Sequence, residues 1–313
     1  MAEGKVIITV APTGGVGTKE ANPALPTQPH EIADDVIKCC EAGASVVAVH
    51  ARRPDESATC DPDIYRDINA RIRKGCDIII NNSTGGGPTG EMVGPITAGG
   101  IPTGDLEMLW AERLKGVEAD AEICTHDAFC ANTYLPDGTT IVMNASLERS
   151  RELAQAMKDR GIKPEWECFS VAQMIDPVRL IEDGLDEPPY IFNFVLGAHK
   201  NIQGAMPWSP KTLVSMVEEL PKGSVFTVSG IGPAQIPAAM GSIICGGHVR
   251  VGLEDNIYYS RGVLANNLQL VERLVRQVRD MGLEPATPAE AREMLGLPRP
   301  VPALQPQGAV VNA

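Results

Sequence analysis

Short β-branched runs recur along the chain, at Val6 to Val10, Val46 to His50, Asp77 to Asn82, Glu122 to Thr125, Glu165 to Phe169, Ile191 to Leu196, Ser224 to Ser229 and His248 to Val251. They are too short and too rich in branched side chains for helices, and they read as buried parallel strands. Helix-compatible stretches follow them, over residues 29–42, 62–74, 105–116, 147–160, 171–183, 209–220, 233–240 and 262–281. Ser209-Pro210 marks a helix start, and Thr287-Pro288 with Glu290 marks a further short helix near the C-terminus. Eight β-then-α units in series predict an α/β fold of the (β/α)8 TIM-barrel type rather than an open doubly wound sheet. At 313 residues the chain has room for one barrel plus additions. The expected organisation is a single barrel domain over residues 1–295 and a Pro-rich tail over 296–313, an extended arm.

Lys and Arg number 27 against 40 Asp and Glu, a net charge of −13. Such a surface repels phosphate backbones and anionic lipid, which argues against nucleic-acid and membrane partners. No run of about 18 apolar residues occurs, and Met1 to Lys5 leads into the first strand without a signal-peptide pattern. A cytoplasmic protein is expected. Eight cysteines are too dilute for a disulfide scaffold, and Cys124, Cys168 and Cys245 lie within apolar runs.

In a barrel, reactive side chains gather at the C-terminal ends of the strands. Polar residues accumulate there in this chain. His50 and Arg52 follow strand two, Ser83-Thr84-Gly85-Gly86-Gly87 follows strand three, and Thr125, His126 and Asp127 follow strand four. Glu167 lies within strand five, Ser229-Gly230-Ile231-Gly232 follows strand seven, and Arg250 with Glu254-Asp255-Asn256 closes strand eight.

Three consecutive glycines exceed what a tight turn requires, and they allow backbone amides to converge on a carboxylate or phosphate. The Ser229-Gly230 loop lies where barrels often bind phosphate. His50 ends a strand whose inward face alternates Val46, Ala48 and His50, a setting that suits a hydrogen-bonded core histidine as well as a ligand. Glu254 and Asp255 could cap the next helix, but one acid would suffice for that. With Arg250 four positions earlier, the two acids suggest that the arginine holds one carboxylate while the other faces a cation. His199-Lys200, after strand six, is either a solvated loop or a contact for an acyl-CoA phosphate.

Thr9-Val10-Ala11-Pro12-Thr13-Gly14-Gly15, Asn22-Pro23-Ala24-Leu25-Pro26, Glu41-Ala42-Gly43-Ala44, Ser83-Thr84-Gly85-Gly86, Phe194-Val195-Leu196-Gly197 and Gly246-Gly247-His248-Val249-Arg250-Val251-Gly252-Leu253-Glu254-Asp255-Asn256 together resemble the β-keto acid cleavage enzymes. The resemblance runs from about Val6 to Leu295. It implies a zinc-dependent (β/α)8 barrel, usually a homotetramer, that reacts a β-keto acid with acetyl-CoA to give acetoacetate and a new acyl-CoA. It also implies a metal, zinc or another divalent ion, held by an H-x-H pair after strand two and by the Glu of G-x-E-D-N. His50 matches the second His and Glu254 the Glu, whereas Ala48 occupies the place of the first His. Asp127 or His126 are candidate replacement donors, and alternation puts Asp127 on the inner face with Thr125.

Five further positions carry over intact: Ser83, Thr125, Glu167, Arg250 and Asp255. Where amino-acid-cleaving members hold the substrate ammonium with a Glu in the loop after strand one, this chain has Val16, which argues for an uncharged or bulky β-keto acid. The expected mechanism is a Claisen-type exchange. Asp255, oriented by Arg250, Glu167 and Ser83, removes a proton from the acetyl-CoA methyl group, and the ion polarises the keto oxygen. Thr125 and the Ser83, Thr84, Gly85, Gly86 loop bind carboxylate, and Ser229 with Gly230 bind substrate or CoA. The rival readings are a CoA-independent metal-dependent aldolase or lyase, and a metal-free ligand-binding barrel.

Overall fold

Branched residues at consecutive positions leave a strand apolar on both faces, so it must be covered inside and out, and a barrel ringed by helices achieves this. A computed structural model describes residues 4–98, 101–135 and 137–298. It contains eight parallel strands: β1 (Ile8–Val10), β2 (Val46–Val49), β3 (Ile79–Asn82), β4 (Ile123–His126), β5 (Lys163–Cys168), β6 (Tyr190–Leu196), β7 (Ser224–Gly230) and β8 (His248–Val251). Each pairs with the next, and β8 closes on β1 through Val251 and Val10. The chain is a (β/α)8 barrel.

The ring of helices is α1 (Pro29–Ala42), α2 (Pro62–Gly75), α3 (Trp110–Lys115), α4 (Leu147–Asp159), α5 (Ile175–Glu182), α6 (Pro210–Glu218), α7 (Gln235–Ile244) and α8 (Asn267–Asp280). Their buried faces, such as Ile32 and Val36 of α1 or Leu270, Val271 and Leu274 of α8, pack on outward strand residues including Ile8, Val10, Val47 and Val49. On the opposite side, α5 to α7 cover Trp166, Phe192, Phe194 and Val228. Each fully buried side chain of this kind contributes about 1.5–3 kcal/mol.

Inside, the lowest layer is apolar: Ile7, Val46, Ile79, Ile123 and Ile191. A ninth helix, α9 (Pro288–Met294), closes that end with Ala291, Leu295 and Leu297. Its start is the expected one, Thr287 accepting from the Glu290 amide while the Glu290 carboxylate accepts from Thr287. Buried Arg292 clamps the plug to the strand starts through Glu122 at 2.7 Å and Asp77 at 3.1 Å. Leu297 therefore belongs to the packed body, and residues 299–313 of the expected arm lie outside the described residues.

Three differences from expectation matter. The helix read over 105–116 is a strand, Ile101–Met108, followed by the shorter α3. Asp105, Leu106, Glu107 and Met108 alternate, a period-two pattern that a helix does not satisfy. This strand joins Val93–Ala98, Cys130–Tyr134 and Thr140–Asn144 in a four-stranded sheet built from the loops after β3 and β4. Finally, the stretch 262–281 begins as the hairpin arm Val263–Leu264, paired with Tyr258–Ser260, before α8 starts at an Asn266–Gln269 capping box. Leu295→Ala should destabilise the chain by ~2–5 kcal/mol, read as a lower denaturation midpoint in urea, because it opens a cavity in the plug.

Candidate active site

The middle and upper inner layers of the barrel are polar. Continuing the alternation from the apolar floor places Ala48, Asn81, Thr125, Glu165, Asn193 and Thr227 above it, then His50, Ser83, Asp127, Glu167 and Ser229 at the mouth. The loop after β8 completes the mouth. Gly252 has φ 153°, and a Cβ there would lie 2.0 Å from the Ala11 carbonyl, so only glycine lets this loop press against the end of β1. Gly14, with φ 66°, does the same for Glu254, whose Cγ would lie 2.5 Å from an added Cβ.

Arg250 gathers the acidic side chains of the mouth. Its Nε and Nη2 each donate at 2.9 Å to Asp255, to Oδ2 and Oδ1 respectively, a bidentate pair. Nη2 also donates to Glu254, and Nη1 lies 3.5 Å from Glu167 Oε1. Asn193 Nδ2 donates to Glu167 at 2.9 Å, and Ser229 Oγ donates to Asn193 Oδ1 at 2.8 Å. Arg250, Asp255, Glu254, Glu167, Asn193 and Ser229 are thus one assembly, held by hydrogen bonds and by the Arg250–Glu167 ion pair. Asn193 is the member that sequence reasoning missed; its signal is a lone polar residue at an inward position of an apolar strand.

The same surroundings drive these carboxyls apart. Burial pushes Glu254 up, but the Arg250 charge and then His50 outweigh it and hold it at about 2. Burial, reinforced by the Asp127 charge, pushes Glu167 well above the usual carboxylate range despite Arg250. Burial also raises Asp255, against the pull of Arg250. The Arg250 guanidinium stays charged, its desolvation outweighed by Asp255 and Glu254.

His50 touches this assembly from β2. Its Nδ1 lies 2.6 Å from the Gly86 carbonyl, an acceptor only, so Nδ1 carries a proton. Its Nε2 faces Glu254 Oε1 at 3.5 Å. Glu254 Oε2 is buried without a partner.

Around Gly86 the glycine loop divides its amides. The Thr84 amide donates to Thr125 Oγ1 and the Gly85 amide to Ser83 Oγ, both at 3.1 Å. Among the described residues, the amides of Gly86 and Gly87 have no protein acceptor. The Ser229-Gly230 loop differs from expectation, because Ile231 N–H donates to Leu196 and Gly232 N–H to the Asp255 carbonyl. With Ser229 Oγ also engaged, this loop braces Asp255 and leaves little to offer an anion.

A divalent ion at a catalytic site normally takes three protein donors. His50 Nε2 and Glu254 Oε2 supply two. Ala48 supplies none, and among the described residues no three His, Cys, Asp or Glu side chains are grouped to hold an ion. Asp127 pairs with buried Arg113 at 3.3 Å, and His126 faces outward, stacked on Trp166 at 4.8 Å. The residues present do not fit a three-donor zinc centre.

Fold and mouth together define a (β/α)8 barrel whose mouth gathers three carboxyl side chains about one arginine. The family model for the beta-keto acid cleavage enzyme matches residues 5–297. The chain belongs to the β-keto acid cleavage enzyme family. It is 38% identical over 295 residues to the 3-keto-5-aminohexanoate cleavage enzyme of Fusobacterium nucleatum, covering 94% of this chain and 98% of that protein. It is 34% identical to the 3-dehydrocarnitine:acetyl-CoA trimethylamine transferase of Rhizobium meliloti, covering 94% of this chain and 97% of that one. Among solved structures, a ternary complex of ObcA with a C4-CoA adduct and oxalate shares the fold, with a TM-score of 0.69 and 18% identity over 88% of this chain and 68% of that chain.

Two outcomes check this geometry. Ala48→His should add the third donor and raise the zinc retained after dialysis against a chelator, measured by plasma mass spectrometry; unchanged zinc would remove His50 and Glu254 as a metal location. Because the buried Glu167 carboxyl is raised, its ionised form costs folding stability as pH rises from the unfolded value toward the folded one. Glu167→Gln should therefore keep or raise Tm at pH 8 while lowering turnover, and a fall in Tm would contradict the raised carboxyl.

Proposed function

We propose that the protein converts a β-keto acid and acetyl-CoA into acetoacetate and a new acyl-CoA. The observation that carries this reading is the two-oxygen grip of Arg250 on Asp255. It orients a buried carboxylate that burial has made more basic, which suits abstraction of a proton from carbon. The names of family relatives support the CoA partner, among them a 3-oxoadipate:acetyl-CoA acetyltransferase of Cupriavidus necator at 31% identity.

Carbon balance places that abstraction on the β-keto acid and not on the acetyl-CoA methyl group. Acetoacetate must join the substrate's carboxyl-bearing carbon to the acetyl carbonyl, and attack by the acetyl methyl on the ketone cannot make that bond. Asp255 therefore removes a proton from C2, between ketone and carboxylate. The C2 carbanion attacks the thioester carbonyl, a C–C bond forms, and the C–S bond breaks to release CoA thiolate. The thiolate adds to the original keto carbon, the C2–C3 bond breaks, and its electron pair stays on C2, which recovers the proton from Asp255. The products are acetoacetate and the new acyl-CoA.

In this scheme the free amides of Gly86 and Gly87 and the hydroxyl of Ser83 bind the substrate carboxylate, and Thr125 braces their loop through Thr84. Glu167 positions Arg250. Zinc, the cofactor implied by the resemblance, enters at no step, because the donor set is one short. Val16, 70% exposed on the loop after β1, supplies no counter-charge for an ammonium, so the acyl group is uncharged or bulky. A cytoplasmic homotetramer is the assembly we expect.

Asp255→Asn should lower turnover by ~10²–10⁴-fold with the circular-dichroism spectrum unchanged. The assay is acetoacetate formed from a β-keto acid and carbonyl-labelled acetyl-CoA. Full activity in that variant, or unlabelled acetoacetate from the wild type, would sink the reading.

A further inference from the structure

On the same face of the barrel, a cavity of about 380 Å³ opens between the loops after β4, β5 and β6. Cys130, Ser170, Ala172, Gln173, Gln203 and Gly204 line it, and nothing in the reaction scheme uses it. Its volume falls in the range of ligand pockets, ~300–1,000 Å³. The lining is rich in amide and hydroxyl groups. Gln203 is exposed, and Gln173 has its Oε1 fixed by the Phe169 amide at 2.8 Å, so its side-chain orientation is set.

Chain position, packing and charge connect the cavity to the reaction centre. Ala128 and Phe129, in its wall, directly follow Asp127, and Phe169 stands two residues beyond Glu167. Phe129 and Phe169 meet edge to face at 5.4 Å, and with Val195, Ala198 and Ala205 they form an apolar cluster that borders the cavity at Phe129. The loop that supplies Gln203 and Gly204 also carries His199 and Lys200, both exposed and, among the described residues, without a carboxylate partner. In a chain of net charge −13, the Lys200 cation on the catalytic face, with the His199 imidazole beside it in sequence, marks where a polyanion can approach. Asp176, on the α5 side of the groove, directs that anion toward the Lys200 side.

We propose that this groove is the acetyl-CoA channel: the pantetheine arm, with its two amides, lies along the Gln173 and Gln203 lining, the phosphates rest at His199 and Lys200, and the thioester passes the Phe129 and Phe169 pair toward Asp255. The proposal rests on the reading of the protein as acetyl-CoA dependent. It places the β-keto acid and the thioester on opposite sides of the mouth, an arrangement that brings C2 and the thioester carbonyl face to face.

The test combines kinetics with labelling of the native protein. Lys200→Glu should raise KM for acetyl-CoA about tenfold while KM for the β-keto acid holds, since reversing a peripheral charge acts on the approach of the anion. Free CoA should slow alkylation of Cys130 by N-ethylmaleimide, followed on its tryptic peptide, and Ala172→Trp should abolish that protection and weaken CoA binding in calorimetry. If CoA binds to the wild type but neither protects Cys130 nor responds to Lys200→Glu or Ala172→Trp, the groove assignment is overturned alone. If calorimetry shows no CoA binding at all, the acetyl-CoA reading falls and the groove with it.

Discussion

A guanidinium shielded from water needs several acceptors, and Arg250 has three carboxylates, from Asp255, Glu254 and Glu167. Removing so many charges from water costs several kcal/mol per ion unless they pair with good geometry. The barrel supplies that geometry. β8 presents Arg250 inward, the Gly252 turn folds Glu254 and Asp255 back over it, and β5 brings Glu167 from across the interior. Burial raises Glu167 and Asp255 while the Arg250 charge holds Glu254 low, so the three carboxyls differ in their affinity for protons.

Much of this is legible in the sequence. The eight strands can be found because Val and Ile cluster in short runs whose length excludes helices, and the loops that carry function come directly after them. The four-stranded insertion cannot, because Val93–Ala98 and Ile101–Met108 contain Gly and Pro, and the four alternating residues 105–108 are too few to stand out against the helix-like composition of residues 105–116. Pairing between segments about 35 residues apart, such as Ile101–Met108 with Thr140–Asn144, leaves no local trace in a single sequence.

Within the site, Arg250, Glu254 and Asp255 are legible because they share one short motif. Asn193 and Arg113 are not. Their roles depend on contacts between strands and loops far apart in the chain, Asn193 with Glu167 and Arg113 with Asp127, and neither residue announces its partner. Arg113 shows the consequence for Asp127. Alternation correctly turns Asp127 inward, but the buried arginine of α3 claims it, which removes it as a stand-in for the donor lost at Ala48.

The net charge of the protein and the needs of its reaction point in opposite directions. A chain carrying −13 repels the very anions that a β-keto acid and CoA present. Backbone resolves part of this conflict. The free amides of Gly86 and Gly87 offer positive ends of dipoles at no cost in side-chain desolvation, and Gly86 simultaneously fixes the tautomer of His50 through its carbonyl. A single glycine thus couples the anion-binding loop to the histidine facing Glu254, and through Glu254 to Arg250. An anion settling on that loop would be linked to Asp255 by the Gly86 contact with His50, the 3.5 Å approach of His50 to Glu254 and the bonds of Arg250 to Glu254 and Asp255.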